Sequence, residues 1–128
     1  MSKNLFLVQY QDQSYCDDTS ETIDQVYLSD ELYEKIQKYV KPKEILETKN
    51  STYKISISYV ENNDITNIVK NILIPAWIRE IEKADTKFID NNIERIMSSS
   101  GNISNILDLL NLKRNNYKDN SNVLVMVG

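Results

Sequence analysis

The sequence predicts an α+β fold: a small mixed sheet, with the N- and C-terminal strands central beside a β-hairpin, packed against three to four helices. Three observations carry that prediction. The most strand-like apolar runs stand at the two ends of the chain, Leu5 to Val8 and Val123 to Val127. Strict alternation of apolar and polar residues runs from Tyr53 to Tyr59, and apolar residues recur three and four apart through much of the second half. A chain of 128 residues suits one globular domain, 1–128, which buries roughly two thirds of its unfolded surface. With 41% hydrophobic and 27% charged residues it is too apolar to remain disordered.

Taken in order, Leu5 to Val8 with Gln9 and Tyr10 reads as a buried strand. From Gln11 to Asp24 the periodicity vanishes and small polar and acidic residues take over, which predicts a loop. Ser29 is a good N-cap, Asp30 and Glu31 suit the positive end of a helix dipole, and Leu32, Ile36, Tyr39 and Val40 follow at helical spacing. A helix over 29–39 should therefore end before Pro42. Glu44 to Thr48 and Thr52 to Val60 predict a hairpin about Asn50 and Ser51, one face wet.

Asp64 is the expected cap of a long helix whose buried stripe is Ile65, Ile68, Val69, Ile72, Leu73, Ala76, Trp77 and Ile81. Pro75 should kink it near 71–74, because proline removes a helical hydrogen bond. Trp77 reads as core on that stripe, as do Tyr39, Tyr53 and Tyr59 on theirs. Asp85 opens a further helix with Phe88, Ile89, Ile93, Ile96 and Met97 inward, stopped at Gly101. A last helix from Asn102 carries Ile103, Ile106, Leu107, Leu109 and Leu110 and fades into the polar run 113–122 before the closing strand.

Composition excludes more than it selects. Histidine is absent, which removes the commonest general acid-base, the commonest metal ligand and every imidazole-based triad. The lone Cys16 rules out an internal disulfide and a cysteine-based zinc cluster within one chain. With only Gly101 and Gly128 there is no glycine-rich phosphate loop, so the expectation is a protein without cofactor that is not an enzyme. The longest apolar run, Ile72 to Ile78, contains a proline and falls far short of the ~20 residues of a membrane span. The N-terminal residues lack a secretory pattern, so a cytoplasmic location is expected. A net charge of −4 disfavours a direct grip on nucleic acid.

That charge is polarised. Residues 1–34 hold eight acids against Lys3, a net of −7, while residues 35–128 carry +3. From Asp12 to Glu34 there is no lysine or arginine, and Tyr10, Tyr15, Tyr27, Tyr33 and Tyr39 lie in or beside this stretch. Carboxylates beside aromatic rings suit a docking surface for a basic protein. The expected contact face is Tyr15, Asp17, Asp18, Glu21, Asp24 and Tyr27. The expected function is that of a small acidic inhibitor, a monomer or small oligomer that binds and blocks a basic toxin or nucleic-acid-handling effector, as immunity proteins and phage anti-defence proteins do.

Two other classes compete. One is a small-molecule or nucleotide-binding module using Lys113, Arg114 and Lys118 with a stacking tyrosine. The other is a metal-dependent enzyme with Asp12, Asp17, Asp18 and Glu21 as oxygen ligands, although their spacing does not match a calcium-binding loop.

Overall fold

The computed structural model describes residues 3–11, 15–48, 50, 52–82 and 101–128. The expected helix from Asp85 to Met97 and the position of Asp12 lie outside that set, and Gly101, the expected stop, is the first residue of the last helix. Among the described residues the fold is α+β, a five-stranded sheet with helices against one face. The strands are β1 (Lys3–Gln9), β2 (Glu21–Leu28), β3 (Val40–Leu46), β4 (Lys54–Val60) and β5 (Val123–Val127), in the spatial order β2-β1-β5-β4-β3. Every ladder is antiparallel, and one isolated parallel bridge joins Cys16 to Leu46. The two ends of the chain pair centrally, Leu5 opposite Val127 and Gln9 opposite Val123.

One face of the sheet carries Leu5, Leu7, Val26, Leu28, Val60, Val123, Val125 and Val127, all buried against the helices. Helix α1 (Asp30–Ile36) starts where the sequence places it: Ser29 accepts a hydrogen bond from the Leu32 N–H at 3.3 Å. It buries Leu32 and Ile36 and tightens into a 3-10 turn, Gln37–Tyr39. The long second helix is continuous, α2 (Asn62–Ile68) passing through a π-helical turn (Val69–Leu73) into α3 (Ile74–Glu82). Helix α4 (Gly101–Asn116) lays Ile103, Ile106, Leu109 and Leu110 on the sheet side. No described helix is long and apolar enough to cross a membrane.

The departures from expectation have local causes. Residues 21–24 are the start of β2, not loop: Glu21 and Asp24 lie opposite Gln9 and Leu7, on the side that Val26 and Leu28 bury, so acids stand where apolar residues would have extended the alternation. A bulge leaves Ile23 unpaired, since Leu7 sits opposite Asp24 and Val8 opposite Thr22. Strand β3 begins four residues earlier than expected because Pro42 lies on an edge, where its missing N–H costs no ladder bond. The helical segment starts at Asn62, so Asp64 lies in the first turn rather than at the cap. The kink near Pro75 takes the form of the π turn, whose extra residue rotates the following stripe. Ile72 and Leu73 are buried, but Ile74, Trp77 and Ile78 emerge 43%, 40% and 48% exposed. Tyr53, read as core, is also exposed, because it precedes β4 in the hairpin turn.

The sheet is strongly coiled. Asp18 donates its N–H to the Glu47 carbonyl just beyond β3, while Glu21 pairs with Gln9 at the far corner of the sheet. Three residues reach at most about 11 Å, whereas those corners of a flat sheet would stand roughly 30 Å apart. The coil turns the second face inward, and there Val8, Tyr10 and Ile45 form a second buried cluster with Phe6, Tyr15, Ile55, Ile57, Leu124 and Met126 around it.

Leu7 is fully buried between β5 and the helices, so Leu7→Ala should cost about 2–5 kcal/mol. Ser29→Ala removes only the α1 cap, for about 1 kcal/mol. Urea denaturation midpoints measure both, and a smaller loss at Leu7 than at Ser29 would contradict this packing.

Candidate functional site

The six residues singled out in the sequence fall on two different surfaces. Asp17 and Asp18 lie on a 3-10 turn, Asp17–Thr19, tied to the end of β3 by the Asp18 N–H to Glu47 O bond. Their turn is held from inside by Cys16, which is buried and donates its thiol hydrogen to Asp18 Oδ1 at 2.8 Å. Glu21, Asp24 and Tyr27 follow along β2, the strand at one margin of the sheet. Asp24 Oδ1 accepts from the Gln25 N–H, and Tyr27 is 55% exposed.

The acids then divide by pairing. At α1, Asp30 meets Lys3 at 3.3 Å and Glu31 meets Lys35 at 3.0 Å and Arg79 at 3.8 Å. Among the described residues no ion pair reaches Asp17, Asp18, Glu21 or Asp24. An acidic margin without internal counter-ions therefore runs from the 3-10 turn along β2. Among the described residues no group of three or more acids and cysteines converges as metal ligands.

Tyr15 belongs elsewhere. Its backbone is in the left-handed region, φ 51°, which a bulky side chain rarely adopts. The hydroxyl donates to the Ser121 carbonyl at 2.6 Å and the ring meets the edge of Tyr10 at 5.3 Å, fixing the side chain over the coiled face. Tyr10 is buried beneath it, its hydroxyl on Met126 Sδ at 3.2 Å. Burial, helped by the negative charge of Asp17, pushes the Tyr10 phenol up to about 12.

Tyr15 forms one wall of a cleft of about 290 Å³ at the junction of β4, β5 and the turn after α4. Lys43, Tyr59, Glu61, Lys113, Lys118 and Ser121 also line it. Lys43 Nζ stands 4.2 Å from the Tyr15 ring centroid and 5.7 Å from that of Tyr59, a placement that fixes an ammonium by cation–π attraction. Tyr59 donates its hydroxyl to Glu61 at 3.3 Å, and Glu61 accepts from Lys41 at 2.7 Å. That Lys41 hydrogen bond holds the Glu61 carboxyl below its ordinary range, while burial raises the Tyr59 phenol.

Lys113 is the unexpected member. On the inward face of α4 it is only 4% exposed, and its Nζ donates to the carbonyls of Tyr117 at 3.0 Å and Asn120 at 3.1 Å. Those bonds neutralise the carbonyl end of the helix. Arg114, grouped with it in the sequence, points away and donates to Thr66 at 3.2 Å, beside a separate hollow between α2 and α4. The sequence showed Lys113 and Lys118 as a basic group, but nothing local signalled that Lys43 and Tyr59, from the β3–β4 hairpin, would join them. Comparison with protein-family models, with curated proteins and with solved structures returns no match.

Burial lowers the Lys113 pKa below 10.5. The unfolded chain thus holds more protons than the folded one between the lowered value and 10.5, and this residue's contribution to stability rises with pH across that window. Wild type should therefore gain on Lys113→Met as the pH is raised from about 8 to 10, read from paired urea titrations. A difference that stays level would mean a solvated ammonium.

Proposed function

We propose that this protein is a small cytoplasmic inhibitor that binds and blocks a basic protein, in the manner of immunity proteins that neutralise bacterial toxins and of phage anti-defence proteins. The observation that carries the reading is the acidic margin: Asp17, Asp18, Glu21 and Asp24 follow one another along the 3-10 turn and β2 with no ion pair to any described residue. Carboxylates grouped in this way repel one another, and a cationic partner relieves that repulsion as it docks. Tyr27 supplies an exposed ring on the same strand, of the residue type enriched at binding hot spots. The function needs neither catalysis nor a cofactor. A reducing cytoplasm would keep the single thiol, Cys16, as the hydrogen-bond donor it is here.

The test is affinity capture from lysate of the source organism by wild type and by the Asp17→Asn, Asp18→Asn, Glu21→Gln, Asp24→Asn variant, followed by binding measurements with the purified partner. A basic partner should associate at least about tenfold more slowly with the variant at low salt, and the wild-type rate should fall steeply with ionic strength. Equal rates for the two proteins would remove the margin from the interface. A wild type that retains nothing at low salt would end the docking reading altogether.

A further inference from the structure

We propose that the cleft between Tyr15, Tyr59 and the turn after α4 is a binding site for a small phosphomonoester, held by Lys43, Lys113 and Lys118. The inference is independent of the acidic margin. Three lysines from two distant parts of the chain converge on one hollow, and among the described residues none of them is paired with a carboxylate. Ammonium groups that share one hollow repel one another, and an anion in the same space relieves that repulsion.

Lys113 provides the second, independent sign. An ammonium has three donors, and two of them go to the carbonyls of Tyr117 and Asn120. The third has no acceptor among the described residues, although the side chain is 4% exposed and lines the cleft. A buried cation with an unused donor fits a site that an anionic oxygen completes. Lys43 is already positioned by the two tyrosine rings, and those rings are pinned by hydrogen bonds to Ser121 and Glu61. The left-handed backbone at Tyr15 is local strain at the same place, which a structure tolerates where a side chain must be held in one direction.

Charge and size narrow the ligand. Glu61 is neutralised by Lys41 at 2.7 Å, so three lysines face Asp119 alone and two positive charges remain. A phosphomonoester is close to a dianion at neutral pH, whereas a monocarboxylate would leave one charge uncompensated. At about 290 Å³ the cleft lies at the small end of ligand sites, with room for a phosphate and a compact organic group such as a pentose.

The probe is ribose 5-phosphate, titrated calorimetrically into the full chain and into Lys43→Gln and Lys118→Gln variants, with ribose, acetate and sodium chloride of matched ionic strength as controls. Amide chemical-shift mapping locates the response. The proposal expects saturable binding by ribose 5-phosphate alone, shifts centred on residues 117–121, and affinity reduced about tenfold in each variant. Lys43 and Lys118 are chosen because neither holds a buried carbonyl, so both variants should fold. Equal heat from acetate or chloride, unchanged affinity in the variants, or shifts elsewhere would each overturn it.

Discussion

The pairing of the first strand with the last is the constraint on which the remaining structure rests. β1 and β5 meet over five residue pairs, from Leu5 opposite Val127 to Gln9 opposite Val123. Both faces of this central pair are apolar: Leu5, Leu7, Val123, Val125 and Val127 look toward the helices, and Phe6, Val8, Leu124 and Met126 look into the coil. Among the described residues β2 has its one ladder with β1, and the β3–β4 hairpin is joined to the sheet through three residue pairs on β5. The helices then have a surface to cover. Closing the sheet between the two ends of the chain costs loop entropy before it returns any contact energy, so local elements such as α1 and the hairpin gain their lasting partners late.

Coiling follows from that closure and creates the cleft. A flat sheet would leave Phe6, Val8, Tyr10, Ile55, Ile57 and Met126 on an open apolar face. Bending the β3 end toward the 3-10 turn covers it with Tyr15 and Cys16 instead. The short arm around Tyr15 is consequently a lid for one cluster and a wall for the cleft, while its continuation, Asp17–Thr19, begins the acidic margin. One residue, Cys16, separates a ring in a cationic hollow from the first exposed carboxylate.

The architecture was legible in the sequence where the signal was redundant. The end strands combined apolarity with β-branched residues, and Ser29 combined a cap with acids and a helical stripe. Legibility failed where one rule overrode another. Acids on β2 erased its alternation because Glu21 and Asp24 stand on the same side as Val26 and Leu28, at the margin of the core, and the π turn broke the period that placed Trp77 inside. The cleft was half legible: Lys113 and Lys118 stood together in the sequence, but Lys43 reaches them through a coil set by long-range packing. Charge clustering along Asp17 to Asp24 was visible at once because it needs no fold to be counted. Its separation from Tyr15 required the left-handed turn at that residue.

Acids on an edge strand have an ordinary purpose, which must be weighed against docking. A free strand edge invites pairing with other chains, and charge along it, helped by a bulge, discourages that. Glu21, Asp24 and the irregularity at Ile23 serve this end on β2. Edge protection does not extend to Asp17 and Asp18. They sit on a 3-10 turn outside any ladder, where the adjoining backbone is already committed: Thr19 N–H to Cys16, Ser20 N–H to Asp17, and Asp18 N–H to Glu47. No open strand edge there requires guarding. A turn that holds two adjacent carboxylates outward, braced by a buried thiol on one of them, continues the negative surface beyond the strand that needed it. Edge protection leaves that surplus unexplained, and the surplus supports the proposal that a cationic partner docks on this surface.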